Sequence, residues 1–169
     1  MVDLSNATNG AGPDGQGADG ESAVQILLNA QYLKDLSFES PGVPQSLMAS
    51  QQASNVSLGI DVAVQQLDGE RFEVVLNFRG QAQTDNATVF LIELAYAGLF
   101  TLSGISHDQL QPILFIEAPR LLFPFARAIV ADVTRDGGFP PLLVNPVDFV
   151  DMYRRRLAEA QQQTGQAQA

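Results

Sequence analysis

His107 is the only histidine of the chain, and it follows Ser103 and Ser106 closely. A serine nucleophile with an adjacent base would need that pairing. The surroundings do not complete the chemistry: there is no Gly-x-Ser-x-Gly elbow and no evident oxyanion hole. His107 is therefore expected as an exposed polar residue where a strand gives way to a helix. Asp148 and Asp151 stand three apart and would share one helix face, but a metal site wants more ligands, and no histidine or cysteine joins them. They are read as acids at a helix start. Gly137-Gly138 lacks the flanking pattern of a phosphate-binding loop. Arg154, Arg155 and Arg156 are read as the solvated C-terminal end of the last helix. No catalytic residue, metal site or cofactor is expected, so the chain should act by binding other proteins on an apolar, sheet-built surface.

The elements that would carry such a surface begin with strands. Val56, Leu58, Ile60, Val62 and Val64 alternate with small or polar residues, the signature of a strand with one buried face. Asp68-Gly69 then signals a hairpin. Phe72, Val74, Leu76 and Phe78 alternate in the partner strand, and Asp85-Asn86 marks a turn before a third strand at roughly 87–102. Val24 to Phe38 alternates less strictly but still reads as a strand. The link at about 39–53, with Pro41, Gly42 and Pro44, suits a loop crossing the sheet. Helical spacing follows Gly104: Pro119 is expected in a first turn, Leu122, Phe125, Ala126, Ile129, Val130 and Val133 form an apolar stripe, and Gly137-Gly138 ends it. Phe139-Pro140-Pro141 is a connector. Asn145-Pro146 should cap a last helix bearing Phe149, Met152, Tyr153 and Leu157. The expected class is α+β, a four-stranded antiparallel meander with helices packed on one face. The strand at 87–102 is apolar on both sides, through Phe90, Ile92, Leu94, Tyr96 and Phe100 and through Val89, Leu91, Ala95, Ala97 and Leu99. So small a chain has too few helices to cover both, which points to an oligomer.

Composition narrows the partners. The chain has 169 residues, 46% of them hydrophobic, enough for one cored domain. Residues 1–21 are poor in large apolar side chains and are expected as a disordered N-terminal tail; 22–160 form the domain and 161–169 a disordered C-terminal tail. Nineteen acidic and nine basic residues leave a net charge of −10, which disfavours nucleic acid and anionic lipid and favours basic partners. There is no cysteine, in keeping with a reducing cytosol. No apolar run approaches the roughly 20 residues a bilayer span needs, and the first residues lack the charge and hydropathy pattern of a secretory signal. A cytoplasmic protein without membrane insertion is expected.

Tyr32-Leu33-Lys34-Asp35-Leu36-Ser37-Phe38-Glu39-Ser40-Pro41 resembles the signature of the SecB protein-export chaperones. Gly98-Leu99-Phe100, Gly104-Ile105, Leu122-Phe123-Pro124-Phe125-Ala126-Arg127, Gly137-Gly138-Phe139-Pro140-Pro141-Leu142 and Pro146-Val147-Asp148-Phe149 match in order, over about residues 22–158. The resemblance implies a homotetramer, a dimer of dimers, that holds unfolded precursor proteins in the cytosol and delivers them to the SecA ATPase without using ATP. It implies a SecA-binding set of Asp35, Glu39, Leu91 and Glu93 on the sheet face away from the helices. It also implies a client-binding groove, for which Val43, Leu47, Met48, Leu58, Phe149, Met152 and Tyr153 are the candidate lining. An alternative is a SecB-like chaperone dedicated to one partner, such as a toxin–antitoxin antitoxin.

Overall fold

The computed structural model describes residues 24–48, 55–85 and 87–166; the expected tail at 1–21 lies outside the described residues. Its elements run β1 (Gln25–Glu39), a short helix α1 (Gln45–Met48), β2 (Asn55–Asp68), β3 (Arg71–Gln83), β4 (Thr88–Ser103), α2 (His107–Pro112), a π-helical turn (Ile113–Glu117), α3 (Ala118–Asp136) and α4 (Phe149–Gln166).

The four strands form one antiparallel sheet in the order β1-β4-β3-β2. Only β2, β3 and β4 form a meander, so the expected four-strand meander is corrected: β1 lies beside β4, on the edge opposite β2. The link between β1 and β2 must therefore traverse the sheet. The end of β1 is held where Phe38 abuts Gly137, and the link where Leu47 abuts Gly138. The hairpin after β2 turns through Gly69, at φ +44°, while Asp68 keeps an ordinary backbone and takes the side chain of Arg71.

The loose alternation of β1 has a physical cause. Its pairing with β4 slips between Leu28 and Ala30 and again between Leu33 and Asp35. Each bulge adds an unpaired residue and exchanges the two faces of the strand. Hence Asp35, Ser37 and Glu39 pair with Ala95, Glu93 and Leu91, whereas the even-numbered Tyr32 pairs with Ala97 on the same sheet face. Leu36 and Phe38 are thereby turned toward the helices, where Phe38 stacks on Phe90 and both rings meet Phe139.

The core lies between the sheet and the helices. Val74, Leu76 and Phe78 from β3 and Phe90, Ile92, Leu94 and Phe100 from β4 are buried there. Ala118, Leu122, Ala126, Val130 and Thr134, four apart on α3, face them. Helical backbone begins at His107, shortly after Gly104, and runs on through Pro112, Pro119 and Pro124. Pro119 is the second residue of α3 and so lies in its first turn, as the sequence predicts. The Ala118 N–H reaches back five residues to the Ile113 carbonyl, a wide turn that shifts the bonding pattern just before Pro119. α4 also departs from expectation. Its N-terminal group is Asp148, whose Oδ1 accepts the Asp151 N–H at 3.0 Å, and not Asn145. The helix continues through Gln166, into the segment expected as a tail, so the three arginines fall in its first half.

Candidate protein-binding site

The side of the sheet away from the helices is an open face of short and charged side chains. β3 contributes Glu73, Val75, Asn77, Arg79 and Gln81, and β2 contributes Ser57, Gly59, Asp61 and Ala63, each in register across the β2–β3 pair. β4 adds Leu91, Glu93, Ala95 and Ala97. Because Asp35 pairs with Ala95 and Glu39 with Leu91, while Glu93 lies across from Ser37, the four residues expected to bind SecA share one patch. Leu91 is half-buried; Asp35, Glu39 and Glu93 are exposed. The patch is acidic, with Asp61 reaching it from β2 in the hollow that Asp35 and Glu93 also line.

Part of this face is covered by the chain itself. Glu73 is buried although it points away from the helices. Its carboxylate accepts the Tyr32 hydroxyl at one oxygen and the Lys34 ammonium at the other, 2.6 Å away. Both donors come from β1, so this bridge crosses β4, where the small Ala97 beneath Tyr32 leaves room. The two donors hold the Glu73 carboxyl below its ordinary range, Lys34 most strongly. Donating to an anion in turn pushes the Tyr32 phenol up to about 12. The bridge clamps β1 at Tyr32 and at Lys34, the residue that the second bulge leaves unpaired, and Asp35 follows at once. Nothing in the alternation of β3 marks Glu73 as different from its odd-numbered neighbours.

The expected client-binding residues are not all together. Met152 and Tyr153 of α4 open onto a hollow of about 790 Å³. Its other apolar walls include Ile60 and Val62 of β2, Phe115 of the π-helical turn, and Val147. Charged and polar side chains, Asp61, Asp151 and Arg155 among them, make up about half of the lining. Tyr153 stacks on Phe115 with ring centroids 6.0 Å apart, and the Arg156 guanidinium lies over the same ring at 4.4 Å. Arg156 also donates to the Val62 carbonyl at 2.9 Å, tying α4 to the outer edge of β2. Phe149 departs from the expectation: at 2% exposure it is sealed in the core, edge-on to Phe123. Leu58 is half-buried on β2, and Val43 and Leu47 sit in the link away from this hollow, as does Met48, which is 84% exposed. Sequence reasoning missed Phe115, because a π-helical turn has no periodic signature.

His107 is the exposed first residue of α2. Asp148 and Asp151 are engaged as a helix cap and in an ion pair with Arg155 at 2.6 Å. Among the described residues no group of three or more acids and histidines could hold a metal ion, and no helix is long and apolar enough to cross a membrane.

A sheet with helices on one side and an open acidic face on the other, beside a partly apolar hollow under α4, defines an α+β protein-binding module. Residues 19–160 match the family described as SecB, preprotein translocase subunit SecB. The chain is 50% identical over 153 residues to protein-export protein SecB of Rhodospirillum centenum, which spans 90% of this chain and 89% of that one. It is 51% identical over 148 residues to protein-export protein SecB of Paramagnetospirillum magneticum, 87% of this chain and 95% of that one. Among solved structures, a SecB-like chaperone of Mycobacterium tuberculosis in complex with a peptide of the HigA1 antitoxin shares the fold. Its TM-score is 0.60 at 19% identity, over 72% of this chain and 90% of that one. The chain belongs to the SecB family.

Proposed function

We propose that the chain is a cytosolic protein-export chaperone that holds precursor proteins unfolded and passes them to the SecA ATPase without hydrolysing ATP. The observation that carries this reading is the patch of Asp35, Glu39, Leu91 and Glu93. These residues come from two strands more than fifty positions apart in sequence, and the β1–β4 register brings them to one open face. An acidic patch of this kind suits a basic partner, since complementary charge steers encounter and fixes register. Clients bind elsewhere, on the apolar walls Met152, Tyr153, Ile60, Val62 and Phe115 of the hollow beside α4 and along the link with Val43, Leu47 and Met48. Methionine and aromatic side chains suit clients of many shapes.

The working particle is a homotetramer. Leu121 and Phe125 stand exposed on α3, and Ile26, Leu27 and Leu33 stand exposed on the edge strand β1. Bare apolar helix surface and a bare strand edge are both features that a second copy would cover.

The test measures two activities separately. The purified protein at stoichiometric amounts should slow refolding of an unfolded precursor, and no effect on refolding would refute the chaperone reading. Charge reversal at Asp35 or Glu93 should weaken SecA binding and leave client holding intact. Equal loss of both would refute the separation of the two sites.

A further inference from the structure

The acidic patch contains one cation, and its placement has a consequence for binding. Two neighbouring hollows indent the open face, about 440 and 450 Å³ in volume. Asp35, Asp61 and Glu93 line the first, while Glu39, Leu91 and Glu93 line the second. Arg79, Glu93 and Gly59 belong to both. Arg79 is the only cation among the described residues lining either hollow.

Its position follows from register. Arg79 lies opposite Glu93 in the β3–β4 pair and opposite Gly59 in the β2–β3 pair. The side with Gly59 offers no side chain to hold it, so the guanidinium turns to Glu93, with Nε 2.8 Å from Oε1. The pair therefore lies between the two hollows. Both members remain wet, at 82% and 52% side-chain exposure, and an exposed pair of this kind is weak and readily exchanged.

We infer that Arg79 is a displaceable internal counter-ion: it occupies Glu93 until a cationic side chain of the partner takes its place, and so it sets how tightly this face binds the motor. This rests on the assignment of the acidic face to SecA. The partner must present a lysine or arginine over Glu93, with further basic residues reaching Asp35 and Asp61 on one side and Glu39 on the other. Once Arg79 swings away, the two hollows join into one acidic trough. The arginine thus selects against partners whose charge is too sparse to displace it.

The test is a titration of the full chain with SecA, comparing Arg79→Gln, Glu93→Gln, the double variant, Asp35→Asn and, as a control for net charge, Arg71→Gln. Arg71 pairs with Asp68 at the hairpin, away from both hollows. Arg79→Gln should tighten binding by about two- to fivefold, the range an exposed ion pair can supply. Arg71→Gln should change it little. In the Glu93→Gln background, Arg79→Gln should lose most of its effect. Unaltered denaturation midpoints for these exposed substitutions would establish that fold is not being read. If Asp35→Asn weakens binding while Arg79→Gln weakens it too or leaves it unchanged, the counter-ion role is overturned and the motor-face assignment survives. An undiminished Arg79→Gln effect in the Glu93→Gln background would likewise reduce Arg79 to a contribution to net charge. If Asp35→Asn has no effect, the face is not the motor's, and both readings fall.

Discussion

Glu73 combines three properties that a strand carboxylate rarely has together: burial, a salt bridge and a phenol hydrogen bond. Its folded-state pKa lies below the ordinary value of 4.5, so the anion is favoured by folding. That contribution is fully present above the unfolded-state pKa and fades as pH falls through the lower folded-state value. Glu73→Gln should therefore lower stability at neutral pH by about 1–3 kcal/mol, the usual effect of breaking a hydrogen-bonded charge. The gap to the parent should narrow on acidification below 4.5, as read from urea midpoints across that range. A gap independent of pH would show that the carboxylate charge is not what holds β1. A period-2 reading of β3 assigns Glu73 to the sheet face away from the helices, which is correct, but burial there depends on Tyr32 and Lys34, some forty residues away.

At the scale of elements, three irregularities decide where side chains point. The two bulges in β1 reverse its faces between Ala30 and Leu33 and then cancel, so that Asp35 and Glu39 face outward and Leu36 and Phe38 inward. The end of α3 meets Phe38 so closely that a Cβ on Gly137 would lie 2.5 Å from its ring. Gly137 has φ −70°, so alanine is not disfavoured by backbone there, and the clash alone should act. Gly137→Ala should destabilise by about 1–3 kcal/mol, with a loss of protection from hydrogen exchange at the start of the link. The third irregularity is the attachment of α4 through Arg156, which is half-exposed and contacts the Val62 carbonyl and the Phe115 ring. Arg156→Ala should lower stability by no more than about 1 kcal/mol. Amide exchange along α4 and the outer edge of β2 should rise by several-fold. Unchanged exchange in α4 would mean that Phe149 alone anchors it.

At the scale of the whole molecule, the charge of −10 and the exposed apolar side chains of α3 and β1 suit different partners. Replacing Phe125 by Asp should dissociate the assembly and leave the subunit folded, because Phe125 is half-exposed and rests only its ring on Tyr96. Sedimentation with far-UV circular dichroism would check both halves of that expectation; an unaltered assembly would remove α3 from the interface. SecA binding should weaken steeply with salt because its patch is exposed, whereas client holding should not.

The sequence by itself determined the class of fold and the extent of most strands, because alternation and turn chemistry are local properties. The resemblance carried by its motifs also singled out Asp35, Glu39 and Glu93, which the register brings to one sheet face. Only the tertiary structure decided that β1 pairs with β4, since strand order depends on how a long link closes and leaves no local mark. It also decided that helical backbone from His107 joins α3 through a π-helical turn, and that α4 is capped by Asp148 and persists to Gln166. Burial of Phe149 and the meeting of Arg79 with Glu93 are likewise matters of register and packing. Each depends on residues distant along the chain coming together, and that is settled only when the whole sheet and its helices close around one core.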